Sequence, residues 1–111
     1  MAMRIRLKPL ALAVVLTCQA YGQLHAQGAL PGTPTVINGN ATFLRANNGV
    51  QVTNSPGAII HWDSFSVGAG NTARFVQNNA GSAVLNRVTG LGASLIHGNL
   101  ESNGRVFLLN P

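Results

Sequence analysis

The chain has 111 residues, a net charge of +5 and only 8% charged residues. That length allows one domain at most. Three of the seven basic residues, Arg4, Arg6 and Lys8, crowd the start; beyond Ala26 four scattered arginines face Asp63 and Glu101, a net of +2, which excludes the clustered basic stripe of a nucleic-acid surface.

Residues 1–26 read as a signal peptide. A basic start is followed by the apolar run Leu10 to Leu16 and by Leu24-His25-Ala26, with cleavage expected after Ala26. The apolar run is shorter than the ~20 residues that cross a bilayer. The single cysteine, Cys18, lies in this segment, and Val15-Leu16-Thr17 before it makes a poor lipoprotein signal. Residues 27–111 then form one domain that can make no disulfide.

From Gln27 on, short apolar runs alternate with turns rich in Asn and Gly. Strands are expected over 35–37, 41–45, 50–53, 58–67, 72–77, 82–88, 93–96 and 105–109. Asn and Gly suit the turns between them because both tolerate positive φ. No stretch has helical periodicity. The class is all-β: a sandwich, a barrel or a β-solenoid. Low charge and Asn-rich turns point to the solenoid, in which stacked rungs align Asn side chains into ladders.

Candidate chemistry is sparse. Gly68-x-Gly70-x-x-Ala73 comes after a strand as a dinucleotide fingerprint does, but no helix pattern succeeds it and no acid stands ~20 residues on. His61, His97, Asp63 and Glu101 have no metal-ligand spacing. His61 and Asp63 share a strand face without a marked nucleophile. Two lone acids are a weak basis for a glycosidase pair. No catalytic residue, metal, cofactor or small-molecule substrate is expected.

The segment 60–111 is more specific than its composition. It contains Trp62-x-x-Phe65, Phe75-x-Gln77, Leu85-Asn86-Arg87-Val88-Thr89-Gly90, Ser94-x-Ile96-x-Gly98-x-Leu100 and Asn103-Gly104-x-Val106-Phe107-Leu108-x-Asn110-Pro111. In order and spacing this resembles the secretion domain of two-partner-secreted exoproteins, the filamentous haemagglutinin family; Leu30-Pro31 to Gly39-Asn40 resembles the family's opening more loosely. The resemblance implies a right-handed parallel β-helix with an N-terminal cap. It implies export by the Sec machinery through the periplasm, recognition by an outer-membrane β-barrel transporter, and a product that is secreted or held at the cell surface. In the family the Asn-Pro is succeeded by further rungs, so this chain is expected to be the amino-terminal part of a larger exoprotein or a truncated frame. Asn86, Arg87, Gly90, Asn103, Gly104, Asn110 and Pro111 are the expected recognition and structural residues, acting through turn geometry and pairing. Replacing Gly90 by Val is expected to be costly if its φ is positive, and Asn110-Pro111 is expected to shape the turn toward the next rung, with no partner to hold it here.

Three readings are open. The first is a secretion-targeting, fold-nucleating module of an adhesin or haemagglutinin-like exoprotein. The second is the same export module on a contact-dependent growth inhibition toxin or a haemolysin. The third, a β-helical polysaccharide-degrading enzyme, would require clustered acids. Low charge weakens steering, so recognition is expected to rest on backbone pairing and Asn contacts.

Overall fold

The computed structural model describes residues 28–111; the expected signal segment 1–26 lies outside them. Eight strands are present: β1 (Pro34–Asn38), β2 (Ala41–Ala46), β3 (Gly49–Asn54), β4 (Ala58–Trp62), β5 (Thr72–Val76), β6 (Ala83–Val88), β7 (Asn99–Ser102) and β8 (Arg105–Leu109). They form two sheets, ordered β1-β4-β6-β8 and β2-β3-β5-β7.

From β3 onward the chain changes sheet at every strand. β3, β5 and β7 therefore stack in parallel on one side, and β4, β6 and β8 on the other. A third side is formed by the loops after β4 and β6, where Val67 and Ile96 make a parallel bridge. This is a three-rung parallel β-helix. The cap breaks the pattern. β2 turns back through Asn47-Asn48 to pair antiparallel with β3, and β1 lies antiparallel on β4 with a register shift between Val36 and Asn38. The segment before β1 seals the first rung. Pro31 is fully buried, the Arg45 guanidinium donates to the Pro31 carbonyl at 2.8 Å and to that of Gly32, and Gly68 N–H donates to Ala29 at 2.8 Å.

Period-two alternation sends Val50 and Val52 of β3, Ala58, Ile60 and Trp62 of β4, Ala73 and Phe75 of β5, and Val84 and Val88 of β6 inward. Parallel register stacks them rung on rung. Trp62 sits edge-on to Phe43 (5.6 Å) and Phe65 (5.3 Å), and Phe65 stacks on Phe75 at 6.3 Å. Such pairs each add about 0.5–1.5 kcal/mol beyond their burial.

Three expectations need correction. The run 58–67 is one strand only to Trp62; the Asp63 carboxylate then accepts the Thr33 N–H at 2.7 Å and the chain corners, although Phe65 and Val67 stay buried. Residues 93–96 form no strand beyond the single bridge at Ile96. β7 is a strand that local pattern does not announce, since Asn99-Leu100-Glu101-Ser102 has one apolar residue and is exposed throughout; its parallel pairing with β5 makes it one. The Gly68–Ala73 motif is a turn into β5, with Gly70 at φ +83°.

Candidate recognition surfaces and the seams between rungs

The expected site residues fall in four places. Asn86 lies inside the coil, wholly buried, in register with Ile60 and Leu108. A carboxamide there is tolerable only with its partners satisfied. Its Oδ1 accepts the Trp62 indole N–H at 2.9 Å and its Nδ2 donates to the Phe107 carbonyl at 3.3 Å. It thus joins three successive rungs, and in the folded domain no partner protein can reach it. Arg87, the next residue, points outward between His61 and Leu109, and its guanidinium has no hydrogen bond or ion pair among the described residues.

Asn103 and Gly104 belong to the corner between the two sheets, and Gln77 is its hub. Gln77 is buried. Its Oε1 accepts Asn54 Nδ2 from the rung before at 3.2 Å. Its Nε2 donates to Ser102 Oγ at 3.0 Å and to the Arg105 carbonyl at 2.9 Å in the rung after. Asn103 brackets the Gln77 backbone, accepting its N–H at 2.7 Å and donating to its carbonyl at 2.8 Å. The carboxamide does here what a strand backbone does in a ladder, at the residue where the β5–β7 ladder ends. A Cβ on Gly104 would lie 2.8 Å from the Gln77 carboxamide and 3.0 Å from the Asn79 carbonyl oxygen, so a larger residue would displace the hub amide from its bonds. In place of a ladder of Asn side chains alone, a mixed amide column runs Asn54, Gln77, Asn103, with glutamine at its hub and Asn103 on the Gln77 backbone. Its sequence signal is the recurrence of an amide at the end of each rung's first strand; Gln77 and Asn54 are not among the expected site residues.

Gly90 lies on the third side. Its φ is not positive; glycine is needed because a Cβ would sit 2.1 Å from the Asp63 carbonyl oxygen. Asn110 is held, contrary to expectation: its Nδ2 donates to the Gly92 carbonyl at 3.0 Å and to Ser94 Oγ at 2.8 Å. Pro111 comes after it, exposed and outside any strand.

The carboxylates do not meet. Asp63 serves the corner beside Thr33, and Glu101 is paired with Arg74 at 2.8 Å on the outside of the β2-β3-β5-β7 sheet. That pair borders a shallow open depression of about 340 Å³ that also includes Leu44 and Gln51. At the far end, β7 and β8 each have one ladder partner among the described residues.

Residues 22–111 match the family model of the TPS secretion domain. The chain is 34% identical over 99 residues to the heme/hemopexin-binding protein of Haemophilus influenzae, covering 88% of this chain and 11% of that protein. A second heme/hemopexin-binding protein of that species is 38% identical over 80 residues, covering 72% and 8%. Among solved structures, the HMW1 secretion domain from Haemophilus influenzae matches with a TM-score of 0.68 at 40% identity, over 70% of this chain and 21% of that one. The chain belongs to the TPS secretion domain family, whose members are modules of exoproteins exported by an outer-membrane transporter. It spans about a tenth of the curated relatives it matches.

Proposed function

We propose that the chain targets a large adhesin- or haemagglutinin-like exoprotein to its own outer-membrane transporter, after Sec-dependent delivery to the periplasm, and then nucleates folding of the rungs beyond it. The observation that carries this reading is the third rung. β7 and β8 present N–H and C=O groups in parallel register with no partner beyond them among the described residues, and such edges accept a further strand. A further rung would cover Leu100, Val106 and Leu108, which face inward but are only partly shielded. Folding would proceed from the cap outward, each rung resting on the last, and would help to draw chain through the transporter. The absence of cysteine after residue 26 suits a chain that must stay free of disulfides in the periplasm. The domain itself performs no catalysis on this reading; Asp63 and Glu101 both serve structural contacts.

The test is export. A longer parent beginning with this chain, co-expressed with its transporter, is expected to reach the medium. Deleting 34–111 should leave it in the periplasm. Equal secretion without that segment, or without the transporter, would overturn the proposal.

A further inference from the structure

Three Asn-Gly pairs lie in turns of the coil: Asn38-Gly39 at the end of β1, Asn48-Gly49 in the hairpin between β2 and β3, and Asn103-Gly104 at the corner between β7 and β8. Asn-Gly is the dipeptide most open to spontaneous loss of the side-chain amide, because glycine has no Cβ to obstruct attack by its own backbone nitrogen. That nitrogen gives its proton to solvent base and attacks the asparagine Cγ. A C–N bond forms, the Cγ–Nδ2 bond breaks, and ammonia leaves with a proton taken from water. Water then opens the five-membered succinimide at one carbonyl or the other, which leaves aspartate or isoaspartate. Water is the only co-reactant, and nothing is oxidised or reduced.

All three asparagines are exposed, so burial does not separate them. Hydrogen bonding does. The Asn48 carboxamide has no hydrogen bond among the described residues. Asn38 is held at one end, where its Nδ2 donates to the Gly57 carbonyl at 3.2 Å. Asn103 is held at both ends: Oδ1 accepts the Gln77 N–H at 2.7 Å and Nδ2 donates to the Gln77 carbonyl at 2.8 Å. The attacking nitrogen is engaged as well, since the Gly104 N–H donates to Ser102 Oγ at 3.0 Å. Ring closure at Asn103 must take Nδ2 from the Gln77 carbonyl and the Gly104 N–H from Ser102. Gln77 is 26 residues away in the chain, so its half of this clamp exists only once the corner has folded.

We infer that Asn103-Gly104 is a deamidation site that folding closes: it is open in the unfolded chain and shut by the Gln77 clamp in the coil, although water reaches it. The modified chain folds less well. Aspartate at 103 cannot donate to the Gln77 carbonyl, and isoaspartate adds a backbone atom just before β8, which begins at Arg105 in register with Ala83. The chemistry is independent of the export role; only the time limit it sets on an unfolded passage rests on that reading. The experiment incubates the full chain in mildly alkaline buffer, folded and in guanidinium chloride, and follows each Asn-Gly peptide by mass spectrometry, with isoaspartate resolved by methyltransferase labelling. Folding should slow Asn103 by at least about tenfold more than Asn48. Ser102→Ala frees the Gly104 N–H and should speed the folded-state reaction at Asn103 by about threefold or more, with Asn38 unchanged, since one bond of the clamp opens and the rest of the coil does not. Returned to native buffer, chains carrying isoaspartate at 103 should be digested by protease before unmodified ones. Equal slowing at Asn48 and Asn103, or Asn38 quickening as much as Asn103 in Ser102→Ala, overturns the clamp in favour of protection by global folding. Equal protease resistance of modified and unmodified chains overturns the loss of fold. Each of these results leaves the export role standing.

Discussion

The rungs of this coil are joined differently on its two sides. At the corner between the sheets, side-chain amides do the joining: Asn54, Gln77 and Asn103 hand hydrogen bonds from rung to rung. On the third side, between β4 and β5 and between β6 and β7, backbone lies on backbone. A Cβ at Gly98 would come within 2.3 Å of the carbonyl oxygens of both Asn71 and Gly68, and one at Gly90 within 2.1 Å of that of Asp63. The difference is one of tolerance. An amide column loses stability in steps, one hydrogen bond at a time. A glycine seam has no intermediate setting, because carbonyls fixed by the ladder on either side cannot withdraw by an ångström.

The largest effect is therefore expected from Gly98→Val. Forcing a branched side chain between two carbonyls should cost about 3 kcal/mol, and in a domain of this size each kcal/mol lowers Tm by about 4–8 °C. Gly92→Val is the matched control, since nothing lies within 4 Å of its Cβ position. Thermal unfolding of both variants checks the claim. Equal midpoints would show that the seam yields, and would remove the contrast between the two sides.

Gln77→Leu comes next, at about 2 kcal/mol. It keeps the volume but removes three hydrogen bonds at once: Asn54 Nδ2 keeps only the Ser55 carbonyl, Ser102 Oγ keeps only the Gly104 N–H, and the Arg105 carbonyl loses its amide donor; each such bond contributes about 0.5–1.5 kcal/mol. The column already carries one unpaired polar group, Asn54 Oδ1. A chemical denaturation midpoint unchanged from the parent would mean that water replaces the hub at no cost. Asn103→Asp is smaller, about 1 kcal/mol. The carboxylate still accepts the Gln77 N–H but then faces the Gln77 carbonyl that the amide had served as donor. Asn103→Asp should be worse than Asn103→Ser; the reverse order would show that the donated bond contributes nothing.

The contrast also marks what the sequence could disclose. Strand positions and the all-β class arise from local signals, period-two alternation and amides at turns; the glutamine hub of the amide column does not. The family motif from Trp62 to Pro111 carries the coil and the export role. The features hidden from sequence depend on register between rungs. Nothing in Asn99-Leu100-Glu101-Ser102 announces a strand until β5 is laid beside it. For Gly90 the sequence suggests only a condition on φ, because its true constraint, the Asp63 carbonyl, is 27 residues away in the chain. Asn86 reads only as one residue of a recognition and structural motif because, within its strand, nothing shows that its alternation faces Trp62.

The smallest effect is expected where a contact is most conspicuous. Arg74 and Glu101 form an ion pair at 2.8 Å, with a second bond from Nε at 3.1 Å, between adjacent strands of one sheet. By geometry alone it rivals the amide column. Its side chains, however, are 56% and 44% exposed, so water screens the charges and both long side chains give up rotamer freedom to meet; pairs of this kind contribute about 0–1 kcal/mol. Arg74→Gln keeps much of the aliphatic stem over the sheet. It should move Tm by less than about 4 °C at low salt and by less still at ~0.5 M salt, where a surface pair is largely screened. A salt-insensitive loss as large as that of Gln77→Leu would place this pair among the joints of the coil and erase the distinction between its buried amide column and its outer face.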